Sequence, residues 1–226
     1  SGENVKAVDF YRKSLELGKG TGFNYSYKIF ENIANAIWKD ELPFDEAIPV
    51  ADAVLGMEQK NSRNIVDVAR LMTRLAVKTD NLDKLAKYLK AGIETSALSK
   101  NKQMQAANID LQADYTLYIE DDVQKAIRIK KSVMPQGWQS DRDTYYMFAK
   151  WCLIRKINLD EAEMFARKTL TQVHPGKFRA RAYGTLSEIL EVNNKIDRAT
   201  EAMKNAVSHD PENEYYQKEL ERLESE

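Results

Sequence analysis

The chain is poor in the residues that advertise chemistry. It has one cysteine, Cys152, in 226 residues. That excludes a disulfide within the chain and a metal site built on several thiolates. A single cysteine suits cytosol and periplasm alike. There are two histidines, His174 and His209, about a repeat apart. Both fall at the ends of predicted second helices, where a cation favours the helix dipole. No CxxC, HExxH, glycine-rich phosphate loop or GxSxG occurs. No run of about 18 apolar residues is present, so nothing is expected to span a membrane. No signal peptide is visible. With 34 basic against 35 acidic residues the formal net charge is −1. No global basic field is left to hold nucleic acid. Nine glycines and five prolines are too few for long loops. The expectation is a chain with no catalytic residues, no cofactor, no metal, and neither a nucleic-acid nor a membrane partner.

What is there is periodic. Phe44-Asp45-Glu46-Ala47 returns as Leu159-Asp160-Glu161-Ala162 and Ile196-Asp197-Arg198-Ala199. Looser copies are Leu82-Asp83-Lys84-Leu85, Val123-Gln124-Lys125-Ala126 and Val5-Lys6-Ala7. The closing residues Ala7, Ala47, Leu85, Ala126, Ala162 and Ala199 step by 40, 38, 41, 36 and 37. A fixed period in this range marks a solenoid whose repeats bury their apolar faces on their neighbours.

Between the phrases the apolar spacing is helical. Ile29, Ile33, Ala36 and Ile37 share a face, as do Val68, Leu71, Met72 and Leu75. Residues 104–119 and 144–154 repeat the pattern, and no stretch alternates with period two. The fold class is therefore all-α, with about eleven or twelve helices. Asp80, Asp121, Asp141 and Asn194 are candidate N-caps. The Asp121-Asp122 pair reads as a cap plus first-turn charge. Pro43, Pro135, Pro175 and Pro211 stand at or just past helix breaks. Pro49 should kink its helix or delay its start. Cys152, beside Trp151 and Leu153, reads as a buried small hydrophobe. Residues 5–11 read as the second helix of a repeat and Ser1-Gly2 as a cloning remnant, so the natural chain is expected to extend further upstream.

The last repeat carries a resemblance. With Ala199 set at the central small position, Tyr183, Leu186, Leu190, Met203 and Ala206 fill the bulky and small slots of a tetratricopeptide repeat, and Asp210-Pro211-Glu212-Asn213 matches its closing turn. Residues 143–175 match through Tyr146, Ala149, Leu153, Ala162, Ala166 and Pro175. Earlier repeats keep only the period. There the family frame puts Ala34 and Trp38, Met72 and Ala76, and Ala113 and Leu117 in core slots. The resemblance implies a right-handed α-solenoid of antiparallel helix pairs with about five to six repeats, as one domain over 1–226. Its parts are a partial repeat (1–20), pairs at 22–60, 61–97, 98–138, 139–176 and 177–210, and a polar capping helix (211–226). Residues 151–163 also resemble the helical repeat region that follows a thioredoxin-like domain in some bacterial proteins.

In that frame the first helix of each pair lines a concave groove. The groove positions are Asn32 and Lys39; Asp67, Arg70, Arg74 and Lys78; Asn108, Gln112, Tyr115 and Tyr118; Met147, Trp151 and Arg155; and Arg181 and Glu188. Arginine beside tyrosine and tryptophan is the composition of interface hot spots. A one-residue slip of the frame would turn Trp151 or Tyr118 into core. The family's best-known use of the groove is a clamp on a chaperone's terminal carboxylate. Here Asn32 stands at the first clamp lysine and Ala36 at its asparagine partner, so that receptor is not expected. The leading expectation is a scaffold that binds an acidic and apolar protein or peptide segment. The alternative is the non-catalytic repeat region of a larger enzyme, such as a bacterial thioredoxin-like protein.

Overall fold

Every regular element among the described residues is helical. The computed structural model describes residues 8–11, 13, 14, 16, 17, 26–56, 61–132, 134, 137 and 142–225. From Ser26 onward the helices are α1 (Ser26–Trp38), α2 (Ala47–Leu55), α3 (Ser62–Thr79), α4 (Ala86–Ala97), α5 (Lys102–Tyr118), α6 (Val123–Ser132), α7 (Arg142–Arg155), α8 (Leu159–Gln172), α9 (Lys177–Val192), α10 (Ile196–His209) and α11 (Glu214–Glu224). Short 3-10 turns, Phe44–Glu46 and Leu82–Lys84, lead into α2 and α4. Contacts divide the chain into two units, Ser1–Val133 and Met134–Glu226.

In the first unit α1 packs on α2, α3 on α4 and α5 on α6, while α1 also meets α3 and α3 meets α5. Its core joins Phe30, Ile33 and Ile37 to Met72, Leu75, Leu85, Tyr88, Leu89 and Leu111. In the second unit α7 packs on α8, α9 on α10 and α10 on α11, and α7 meets α9. Its core includes Tyr145 and Phe148 around Phe165, with the Phe148–Phe165 pair edge-on at 5.8 Å. Of the residues matched in the last repeat, Leu186, Leu190, Ala199, Met203 and Ala206 are buried and Tyr183 is half-buried. Ser187 Oγ reaches the Ala199 carbonyl at 2.7 Å, a distance that needs small residues on both helices.

One backbone device recurs. An amide bonds five residues back at Glu41→Ala36, Asn81→Ala76, Glu120→Tyr115, Ile157→Cys152 and Lys195→Leu190. The donors step by 40, 39, 37 and 38 residues. This bond closes a helix whose next residue turns left-handed. Asp40, Asp80, Lys156 and Asn194 have φ of 60°, 56°, 53° and 56° just before their donors, and Asp121 has 55° just after its own.

That device corrects the expected caps. Asp80, Asp121 and Asn194 do not start helices; they sit at positive φ where the preceding helix has ended. Short polar side chains tolerate that conformation best after glycine. The caps are instead Asn61, Asn101, Asp122 and Asn213, each accepting from a first-turn amide. Pro49 lies within α2, which begins at Ala47 after the 3-10 turn. It occupies the third helical position, where an amide needs no intrahelical partner. Asp141, Pro135 and the copy at residues 5–7 lie outside the described residues.

Candidate functional site

The turns that join the helices of a pair differ in length. From the bonding amide to the small residue of the next helix is four residues at Asn81–Leu85 and Lys195–Ala199. It is five at Ile157–Ala162 and six at Glu41–Ala47 and Glu120–Ala126. The connection is thus one or two residues longer in three of the repeats, yet the frame's core positions Ala34, Ala113, Leu117, Ala149 and Leu153 are buried there, and Trp38 is the one that is not. The connection is shortest after α3 and α9.

The groove positions follow the turn length only in part: Gln112 on α5 and Met147 on α7 are exposed as expected although their turns are longer. On α3, Arg70 and Arg74 are exposed, and Lys78 is partly covered; on α9, Arg181 is exposed. On α1, Asn32 is half-buried and its amide donates to Tyr11 Oη at 3.2 Å. Asn108 is a correction. It is 8% exposed and not in a groove: its amide donates to Ile93 O (2.8 Å) and Ser96 Oγ (2.9 Å), tying α5 to α4, and it accepts from exposed Gln112. Tyr115 and Tyr118 are half-buried against the first unit's core, with the Lys90 ammonium 5.9 Å over the Tyr115 ring. Trp151 is a second correction. It is 5% exposed, beside Phe148 at 6.1 Å, with the Arg155 guanidinium 4.8 Å over its ring.

Trp38 moves the other way. The frame placed it in the core, yet it is 48% exposed, and Ile37 takes the core position. Arg74 stands 5.2 Å and Lys78 5.5 Å over the Trp38 ring. Lys78 also bonds Asp40 Oδ1 at 2.6 Å, across the turn that ends α1. Among the described residues neither Arg70 nor Arg74 has a carboxylate partner. The first unit therefore presents an indole with two cations over it and a third, Arg70, one turn away on α3. The Glu41–Ala47 connection is two residues longer than Asn81–Leu85, and no residue pattern in the sequence announces it.

No family model matches the chain, and no curated protein does. Among solved structures it is similar to the crystal structure of BtubC (BKLC) from P. vanneervenii, at 10% identity and a TM-score of 0.48, over 91% of this chain and 87% of that one.

The second unit has its own polar clusters. Glu188 accepts from Tyr215 Oη at 2.8 Å. Burial pushes its carboxyl up, and the Glu219 and Glu191 charges push it further, against the Tyr215 bond and Lys150. Burial pushes the Glu163 carboxyl up as well, but bonds from Lys195 (2.7 Å) and Arg167 (2.8 Å), and their charges, outweigh it and hold the group below the usual range. Glu163 thus ties α8 to the turn before α10. Cys152 is fully buried. His209 ends α10 stacked on Tyr183 at 5.7 Å, and His174 lies exposed just past α8. Among the described residues no group of three histidine, cysteine or acidic side chains is placed to hold a metal. No described helix is long and apolar enough to cross a membrane.

Proposed function

We propose that this chain is a non-enzymatic scaffold of tetratricopeptide-like helix pairs, a right-handed α-solenoid of five to six repeats. It binds an acidic and apolar peptide or protein segment. The even spacing of the five helix-ending bonds supports the repeat reading. The observation that carries the binding reading is the Trp38 face. A tryptophan left half exposed gives up a large apolar burial. Cations held over its ring keep it preorganised, and two arginines offer planar forks that fit carboxylates. A segment with one acidic and one apolar side chain satisfies both groups at once.

The test is to pan phage-displayed random peptides on the purified chain. The expected result is enrichment of sequences with Asp or Glu beside Leu, Phe or Trp, and loss of that enrichment on an Arg70→Glu/Arg74→Glu variant with an unchanged melt. No enrichment, or enrichment that the double variant retains in full, overturns the role of this face.

A further inference from the structure

We infer that a cleft in the second unit, between α7 and the start of α9, is a separate receptor for a peptide carboxylate beside a large apolar side chain. This deepens the scaffold reading and rests on it for the class of occupant. The cleft has a volume of about 550 Å³, within the usual range for a binding pocket. Tyr146, Met147, Val173, Pro175 and Phe178 supply its apolar lining. Met147 is 60% exposed, a flexible thioether side chain held open to solvent on a helix whose neighbouring Tyr146 and Phe148 are buried. Such a side chain adapts to apolar ligands of differing shape.

The charges of the lining are unequal. Lys177 and Arg181 face a single carboxylate, Asp143. Lys177 and Arg181 form no ion pair with any described residue. Arg181 is also preset. Its guanidinium lies 5.2 Å over the Phe178 ring, and Phe178 leans on Tyr146 at 5.2 Å. The Tyr146 hydroxyl meets Thr185 Oγ1 at 3.3 Å, which fixes the ring beneath. A guanidinium stacked this way has lost part of its rotamer freedom before a ligand arrives, so a bidentate carboxylate contact costs less ordering.

The occupant is a peptide rather than a nucleic acid. Base stacking needs an open ring face. Here Tyr146 is buried and Phe178 already carries Arg181; of the lining aromatic rings only the small imidazole of His174 is exposed, and the apolar surface offered beside it is the thioether of Met147.

The probe is a fluorescein-labelled octapeptide, Glu-Glu-Leu-Phe-Glu-Asp-Leu-Glu, titrated with the full chain and followed by anisotropy. Saturable binding is expected, weakening between about 0.05 and 0.3 M salt as exposed charges are screened. Arg181→Glu should weaken it at least about tenfold, and Met147→Ala, at an exposed site that leaves folding intact, about fivefold. Arg181→Lys keeps the charge but not the fork and should fall between wild type and Arg181→Glu. Should Arg181→Glu lower the melting temperature, Met147→Ala and Arg181→Lys decide. No saturation at about 1 mM protein, affinity unmoved by these variants, or full displacement by oligouridine overturns the inference. If the peptide binds and is lost on Arg74→Glu but not on Arg181→Glu, the cleft fails while the scaffold reading stands.

Discussion

Gly92→Ala tests how closely three helices meet in the first unit. A Cβ added at Gly92 would lie 2.7 Å from Ala69 Cβ and 2.8 Å from Leu111 Cδ1. Carbon atoms rest at about 3.5–4.0 Å, so roughly 0.8–1.3 Å of separation is missing. Leu111 can rotate part of the way. Ala69 cannot, because its Cβ is fixed to the backbone of α3 and is fully buried. The relief must come from moving α3 and α4 apart. Alanine gains about 1 kcal/mol over glycine in a helix interior. Overpacking a well-packed core costs about 1–3 kcal/mol, and the fixed Cβ–Cβ clash puts this site at the upper end. The balance is a net loss of about 1–2 kcal/mol. For a chain of this length that is roughly 2–8 °C in the thermal transition followed by circular dichroism at 222 nm. Ala69→Gly removes the opposing methyl. The double variant should recover about 1–2 kcal/mol relative to the sum of the singles. A Gly92→Ala protein as stable as wild type, or additive behaviour of the pair, refutes the reasoning. Gly184→Ala is the control. Its Cβ would meet Tyr216 Cε1 at 2.9 Å, the far edge of a ring that can tilt, so it should cost less than Gly92→Ala.

Trp151→Ala should cost about 3–5 kcal/mol in urea unfolding, because it empties a buried ring site; a loss under about 1 kcal/mol would return Trp151 to the surface. Glu188→Gln tests the raised carboxyl. In the folded state Glu188 holds its proton more tightly than at the unfolded value of about 4.3. Its contribution is favourable below that value and is lost as pH rises through the folded pKa. Glu188→Gln, which can still accept from Tyr215, should therefore stabilise the protein at pH 7 and do so much less at about pH 4. Equal effects at both pH values would show that burial does not perturb this group. Gly176→Ala should destabilise the entry to α9 by about 1–3 kcal/mol, since φ is 127° and ψ −171° there, a region open almost only to glycine. A neutral Gly176→Ala in the same melt would show that this turn relaxes.

The helices were legible in the sequence because period 3.6 and the repeat period both survive in it. Ile29, Ile33, Ala36 and Ile37 read as one face; the three isoleucines are buried together and Ala36 is half-buried. The turns were not legible. Asp80, Asp121 and Asn194 look like N-caps, since the same short polar side chains serve both a helix start and a left-handed helix end. The site inherited that ambiguity. Where the turn runs four residues, at α3 and α9, Arg70, Arg74 and Arg181, expected in a groove, are exposed. Where it runs five or six, Trp151 and Asn108 move inward and Trp38 moves outward. Nothing in composition reports one or two extra turn residues, because each such residue extends the connection without disturbing either helix's apolar stripe.

The central claim is that Trp38, held under Arg74 and Lys78, meets the partner. The most direct measurement is the affinity of a panned acidic-apolar peptide for Trp38→Ala and wild type, with thermal melts of both. The account predicts a loss of about 2 kcal/mol, roughly 30-fold in Kd, with a melting temperature that stays within about 2 °C. Unchanged affinity, or a collapse of the melt like that of Trp151→Ala, would contradict it.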